Sequence, residues 1–185
     1  MSDAFRISLA DLRRQEGSRL EFVRSIPAPD TFATALVRTI GDISVDGALQ
    51  SVSEGVLVTG TVDYTTLAEC ARCLREVEED LTSDVTELYF YPNRAKALQE
   101  SGDEEAEEVA LIEDDTIDIE PLLRDTIVGQ MPFIPLCDEN CPGLCAVCGG
   151  RLADLPDDHA HEEEFQEMTA LDELRAKLAA EEQGS

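Results

Sequence analysis

The chain has 185 residues, with 41 acidic against 14 basic side chains and a formal net charge of -27. That field repels phosphate backbones and attracts cationic surfaces, so a nonspecific grip on RNA or DNA is disfavoured and a basic partner is favoured. No apolar run approaches the ~18 residues of a membrane span, and Met1 to Asp30 carries no basic start followed by an apolar stretch, so the expectation is a cytoplasmic protein that neither crosses a membrane nor is exported.

In chain order, FRISL near the start reads as a strand, and Ser8 with Asp11 predicts a short helix over Leu12 to Gln15 that Gly17 stops. Leu20 to Ile26 reads as a second strand, ended by Pro27 and Pro29. Thr34 to Ile40 and Gly55 to Tyr64 are rich in Val, Thr and Ile. In VLVTGTV the residues Val56, Val58 and Val62 alternate with polar or small neighbours, with Gly60 on the same face. Leu74 to Tyr91 fits a helical and a strand period, and its Val, Thr and Tyr content decides for strand.

From Gln99 to Leu123 the chain bears many carboxylates and no Lys or Arg, which predicts a solvated loop. IDIEPLLRDTIVGQMP predicts a helix entered at Pro121, where a missing amide costs nothing, with Leu122, Leu123, Ile127 and Val128 as its buried stripe. Phe133, Ile134 and Leu136 lead into the cysteines. Beyond Leu152 the chain is acidic, and Met168 to Leu178 has the spacing of a short amphipathic helix.

All six cysteines fall in ECARCL, with Cys70 and Cys73, and in LCDENCPGLCAVCGG, with Cys137, Cys141, Cys145 and Cys148. A CxxC turn lets two thiolates face one ion, so two such pairs read first as zinc ligands. A disulfide framework needs an oxidising compartment, and a redox pair needs a strand-then-helix frame that neither motif has. CxxxCxxC at Cys141, Cys145 and Cys148 also matches an iron–sulfur ligand pattern, but that enzyme class uses a longer barrel-forming chain. Buried free thiols do not account for six cysteines grouped so tightly.

Loop closure favours the local quartet Cys137, Cys141, Cys145 and Cys148 as the zinc site. The alternative joins Cys70 and Cys73 to Cys145 and Cys148, at a further cost of only about 0.6 kcal/mol per doubling of loop length. His159 and His161 read as a flexible surface pair. No phosphate-binding loop, GxSxG or HExxH is present, and thiolates that saturate a metal leave no position for substrate, so no catalysis is expected.

ECARCL, IDIEPLLRDTIVGQMPFIPLC and CPGLCAVCGGRL together resemble the YceD family of large ribosomal RNA subunit accumulation proteins. The resemblance implies a role in synthesis, processing or stability of 23S ribosomal RNA, and a neighbouring gene for a small, basic, zinc-bearing protein of the large subunit. Ala153 and EEEFQEM depart from the Asn and the Asp-Pro-Arg tripeptide that members often carry.

The expected fold is α+β, mainly antiparallel sheet with a few short helices and a C-terminal cysteine-rich zinc-binding segment. The expected organisation is one domain over residues 1–152, its zinc segment at 136–152, followed by an acidic tail at 153–185. The expected function is escort of a basic large-subunit ribosomal protein, or action on a pre-ribosomal particle. Two alternatives are direct RNA contact through Arg13, Arg14, Arg19, Arg24, Arg38, Arg72 and Arg75, and a thiol-based metal or redox sensor.

Overall fold

The computed structural model describes residues 3–100 and 109–161. The chain divides into two compact units, Met1–Gly143 and Leu144–Ser185. The division therefore falls after Gly143, inside the segment expected to end one domain at Leu152. The expected helix over Met168 to Leu178 lies outside the described residues.

The first unit is built on an antiparallel sheet in the order β2 (Arg19–Pro27), β3 (Val37–Ser51), β4 (Gly55–Glu69) and β5 (Glu76–Phe90). A second, two-stranded sheet pairs β1 (Arg6–Ser8) with β6 (Thr116–Asp118). Two helices, α1 (Pro92–Glu100) and α2 (Glu120–Gln130), complete it. The fold is α+β and mainly antiparallel, as the composition and alternation predict.

Opposite residues of an antiparallel pair share a face, and here that face is apolar. Val45 lies opposite Val62 and Leu49 opposite Val58, Ile26 opposite Ile43, and Val56 opposite Tyr89. All are buried, together with Ile117, Leu123 and Ile127 from β6 and α2. Gly47 and Gly60 face each other across β3 and β4. A Cβ on Gly60 would come within 2.4 Å of the Asp46 carbonyl oxygen, so glycine there permits a close backbone approach.

Three sequence expectations are corrected. Leu12 to Gln15 forms no helix; Ser8 Oγ accepts from the Ala10 amide and the Leu12 amide donates to Leu9 O, making a turn. Thr34 to Val37 is a tight turn, with Thr34 N–H donating to Val37 O, and β3 begins only at Val37. It then runs on past Ile40, the end read from the sequence, to Ser51. Gly41 has φ +68° and the register shifts between Ile40 and Ser44, so this is a bulge within a continuing strand. Finally, Thr116–Asp118 pairs with β1 instead of extending the acidic loop.

Pro121 stands in the first turn of α2, and Leu123 and Ile127 face the core. Leu122 and Val128, expected in the same stripe, are only half-buried.

Candidate metal centres

The turn between β4 and β5 is the first cysteine pair. Cys70 directly follows the last residue of β4, and its amide donates to Arg75 O at 2.8 Å, closing the hairpin. The Leu74 amide donates back to Cys70 O at 2.9 Å. This bends the chain so that the Cys70 and Cys73 side chains emerge on one side.

The segment after α2 supplies two more sulfurs. Pro135 O accepts the Ala71 amide at 2.8 Å, docking the segment on the hairpin turn. Asp138 then shapes a turn: its carbonyl accepts the Cys141 amide at 3.0 Å and its Oδ1 the Asn140 amide at 2.8 Å. Cys137 and Cys141 thereby meet Cys73 and Cys70. Sγ of Cys73 is 3.5 Å from Sγ of Cys137, and Sγ of Cys70 is 3.8 Å from Sγ of Cys141. All four sulfurs lie within 4.8 Å of one another.

A tetrahedral ion with metal–sulfur bonds of about 2.3 Å holds its sulfurs about 3.8 Å apart, so this spacing fits one. The backbone amide of Cys137, helped by those of Arg72 and Cys73, holds the Cys70 thiol down to about 6. The Cys137 thiol is pushed up to about 12, first by its hydrogen bond with Cys141 and then by that with Cys73. Burial raises Cys141. Four thiols gathered this closely ionise together only against a cation.

In the second unit, Cys145 and Cys148 repeat the first turn. The Cys145 amide donates to Gly150 O at 2.7 Å and the Gly149 amide to Cys145 O at 2.9 Å. The position after the second cysteine is left-handed in both turns, Leu74 at φ 56° and Gly149 at φ 70°. A Cβ on Gly149 meets nothing within 4 Å, so Gly149→Ala is expected to cost about 1 kcal/mol through backbone strain alone. Urea unfolding of this variant beside the parent checks it.

His159 and His161 join this second pair. Sγ of Cys148 is 3.6 Å from Nε2 of His159, Nε2 of His161 is 2.9 Å from Nε2 of His159, and the four donors again lie within 4.8 Å. The amides of Cys148 and Val147, with the His159 side chain, hold the Cys145 thiol down to about 6. Either group of donors could hold a metal ion.

The structure thus gathers the cysteines as Cys70, Cys73, Cys137 and Cys141, and as Cys145 and Cys148 with His159 and His161. Each quartet drawn from the sequence, the local Cys137, Cys141, Cys145 and Cys148 or Cys70 and Cys73 with Cys145 and Cys148, takes cysteines from both units, whereas each group gathered here lies within one unit. The histidines read as a loose surface pair stand beside two thiols. Within the first unit the β4–β5 hairpin and the core already bring the Cys70–Cys73 turn to the Cys137–Cys141 segment, leaving little closure cost for those cysteines to bear.

Arg72, considered in the sequence as a phosphate contact, has another use: its Nη1 donates to Glu139 O at 3.2 Å and to Cys141 O at 3.0 Å. It fastens the second ligand turn to the first. Its place inside CARC was the only signal available.

An open cavity of about 740 Å³ lies elsewhere in the first unit, lined by Arg6, Glu87, Tyr89, Glu113, Asp118 and Asp125 among others. Burial, with the charge of Asp125, raises the Glu87 carboxyl.

The sequence profile described as "Large ribosomal RNA subunit accumulation protein YceD" matches residues 58–175, a span that includes both donor groups. An uncharacterized protein of Mycobacterium tuberculosis is 38% identical over 159 residues, covering 85% of this chain and 74% of that protein. An uncharacterized protein of Mycobacterium leprae is 34% identical over 156 residues, covering 83% and 70%. One of Bacillus subtilis is 28% identical over 104 residues, or 56% of each chain. No solved structure matches.

Proposed function

This chain belongs to the YceD family of large ribosomal RNA subunit accumulation proteins, and we propose that it is a non-enzymatic factor of large-subunit biogenesis in the cytoplasm. It supports the synthesis, processing or stability of 23S ribosomal RNA by holding a basic large-subunit ribosomal protein. Zinc in the Cys70, Cys73, Cys137 and Cys141 site fixes the surface it presents, since thiolate sets of this spacing suit zinc and contribute directly to folding.

The observation that carries this reading is where the charge lies. β5 is an edge strand, and Glu76, Glu78, Glu79, Asp80 and Asp84 on it are exposed. Part of that charge serves to keep an edge from pairing with other chains. The cavity adds Glu87, Glu113, Asp118 and Asp125 against one Arg6. The arginines that RNA would need are partly committed, Arg14 to Asp115 at 2.6 Å and Arg72 to backbone carbonyls.

An acidic surface speeds encounter with a basic protein, while affinity needs an apolar anchor. Phe133 is 94% exposed and Ile134 67%, and both directly precede Pro135, the residue docked on the Ala71 amide.

Capture of partners on immobilised protein at low and high salt tests the proposal. Basic large-subunit proteins are expected to bind at low salt and to be lost at high salt. Phe133→Ser is expected to reduce recovery with zinc content unchanged. Recovery of no ribosomal protein, recovery indifferent to salt, or an RNA gel shift that survives physiological salt would overturn it.

A further inference from the structure

The second donor group poses a problem of its own, because residues 144–161 include no buried residue. They have no apolar core. Yet the segment is ordered by the Cys145–Gly150 and Gly149–Cys145 hydrogen bonds, by a Leu144 to Arg151 bridge, and by the His159 amide donating to Pro156 O at 2.9 Å. Fixing one residue costs about 1–2 kcal/mol of backbone entropy, while a hydrogen bond nets about 0.5–1.5 kcal/mol. Exposed turns of this kind do not hold themselves.

What converges in the segment is a set of donors. The Cys145–Cys148 turn and the loop through His159 and His161 point one sulfur and two imidazole nitrogens at a common point, with the second sulfur beside them. The imidazole planes stand at 89° with centroids 4.5 Å apart, so each ring presents an edge nitrogen instead of stacking. Bonds of about 2.3 Å to sulfur and about 2.0–2.1 Å to nitrogen put neighbouring donors about 3.3–3.8 Å apart. The 3.6 Å between Cys148 Sγ and His159 Nε2 falls in that range, and the 2.9 Å between the histidine nitrogens is somewhat shorter. Gly150 belongs to the same design, since a Cβ there would stand 3.4 Å from Cys148 Sγ and 3.2 Å from Leu155 Cδ1.

We propose that Cys145, Cys148, His159 and His161 form a second zinc site that orders residues 144–161 without the first and gives up its ion more readily. Three of the four donors of the first site, Cys70, Cys73 and Cys141, are buried and only Cys137 is exposed, whereas every donor of the second is exposed or half-buried. A chelator reaches exposed donors directly, while buried ones wait on local opening of the fold.

The test is zinc loading and release on the full-length, reduced protein, with zinc alone as the probe. Native mass spectrometry is expected to count two zinc ions per chain, and a chromogenic chelator to draw them out in two phases separated by about tenfold or more in rate. His161→Ala and Cys148→Ser are each expected to leave one ion, with the fast phase gone and the slow phase intact. Cobalt replacement gives a readout without mutation, because the two donor sets produce different absorption spectra as the first and second equivalents bind. One zinc per parent chain, two zinc ions retained in His161→Ala, a single release phase, or identical cobalt spectra would overturn the proposal. It is separable from the ribosomal role, since a chain that binds two zinc ions and captures no ribosomal protein keeps this inference and loses that one.

Discussion

Cys73→Ser is expected to empty the first metal site and to destabilise the Met1–Gly143 unit by at least about 3 kcal/mol, read as a lower midpoint in urea with metal counted in parallel. Cys73 is 3% exposed, and its sulfur lies 3.5 Å from that of Cys137. A hydroxyl of similar size is a poor zinc ligand, so the substitution removes one bond to the ion and leaves three crowded thiols without a counter-charge. The turn would lose its metal-mediated link to the segment after α2 and keep weaker ones, among them the Ala71 to Pro135 hydrogen bond and the Arg72 clamp. Parent-like stability with parent-like metal content would mean that these sulfurs hold nothing.

Ile127→Ala is expected to cost a comparable amount, about 2–5 kcal/mol, for a different reason. Ile127 is fully buried on the core side of α2, so truncation leaves a cavity between the helix and the sheet. The ligand turn at Cys137 lies only a short way beyond the end of α2, but it is fixed by the hairpin and by Arg72. Zinc stoichiometry is therefore expected to stay at the parent value while the unfolding midpoint falls. The pair of variants separates metal-derived stability from packing-derived stability. If Ile127→Ala also loses zinc, the ligand turn depends on the helix and not on the contacts assigned to it.

Much of the fold was legible because the sheet has one buried face and the sequence writes that face in alternation. Val56, Val58 and Val62 gave β4, and Pro121 with Leu123 and Ile127 gave α2. What failed failed locally. Gly41 followed by Asp42 has the chemistry of a turn, and only the partner strand reveals that β3 absorbs it as a bulge. Ser8 and Asp11 have the spacing of a helix cap, but no apolar stripe follows to make a helix worthwhile.

The cysteine chemistry was legible in kind and not in pairing. CxxC spacing encodes a local turn, and both turns form. Which turn meets which depends on a hairpin and a helix between them, and that is written in the core residues. The histidines carried no periodic signal in an acidic stretch, so their meeting with Cys145 and Cys148 could be found only in three dimensions.

The hairpin turn also has a consequence for how the protein is made. Cys73 and Cys137 are 64 positions apart, and synthesis at about 5–20 residues per second leaves the earlier thiols without their mates for several seconds. During that interval β2, β3 and β4 are already out of the exit tunnel and free to zip together. The nascent sheet can therefore take shape before the first donor set is complete, whereas Cys145 to His161 emerge almost together.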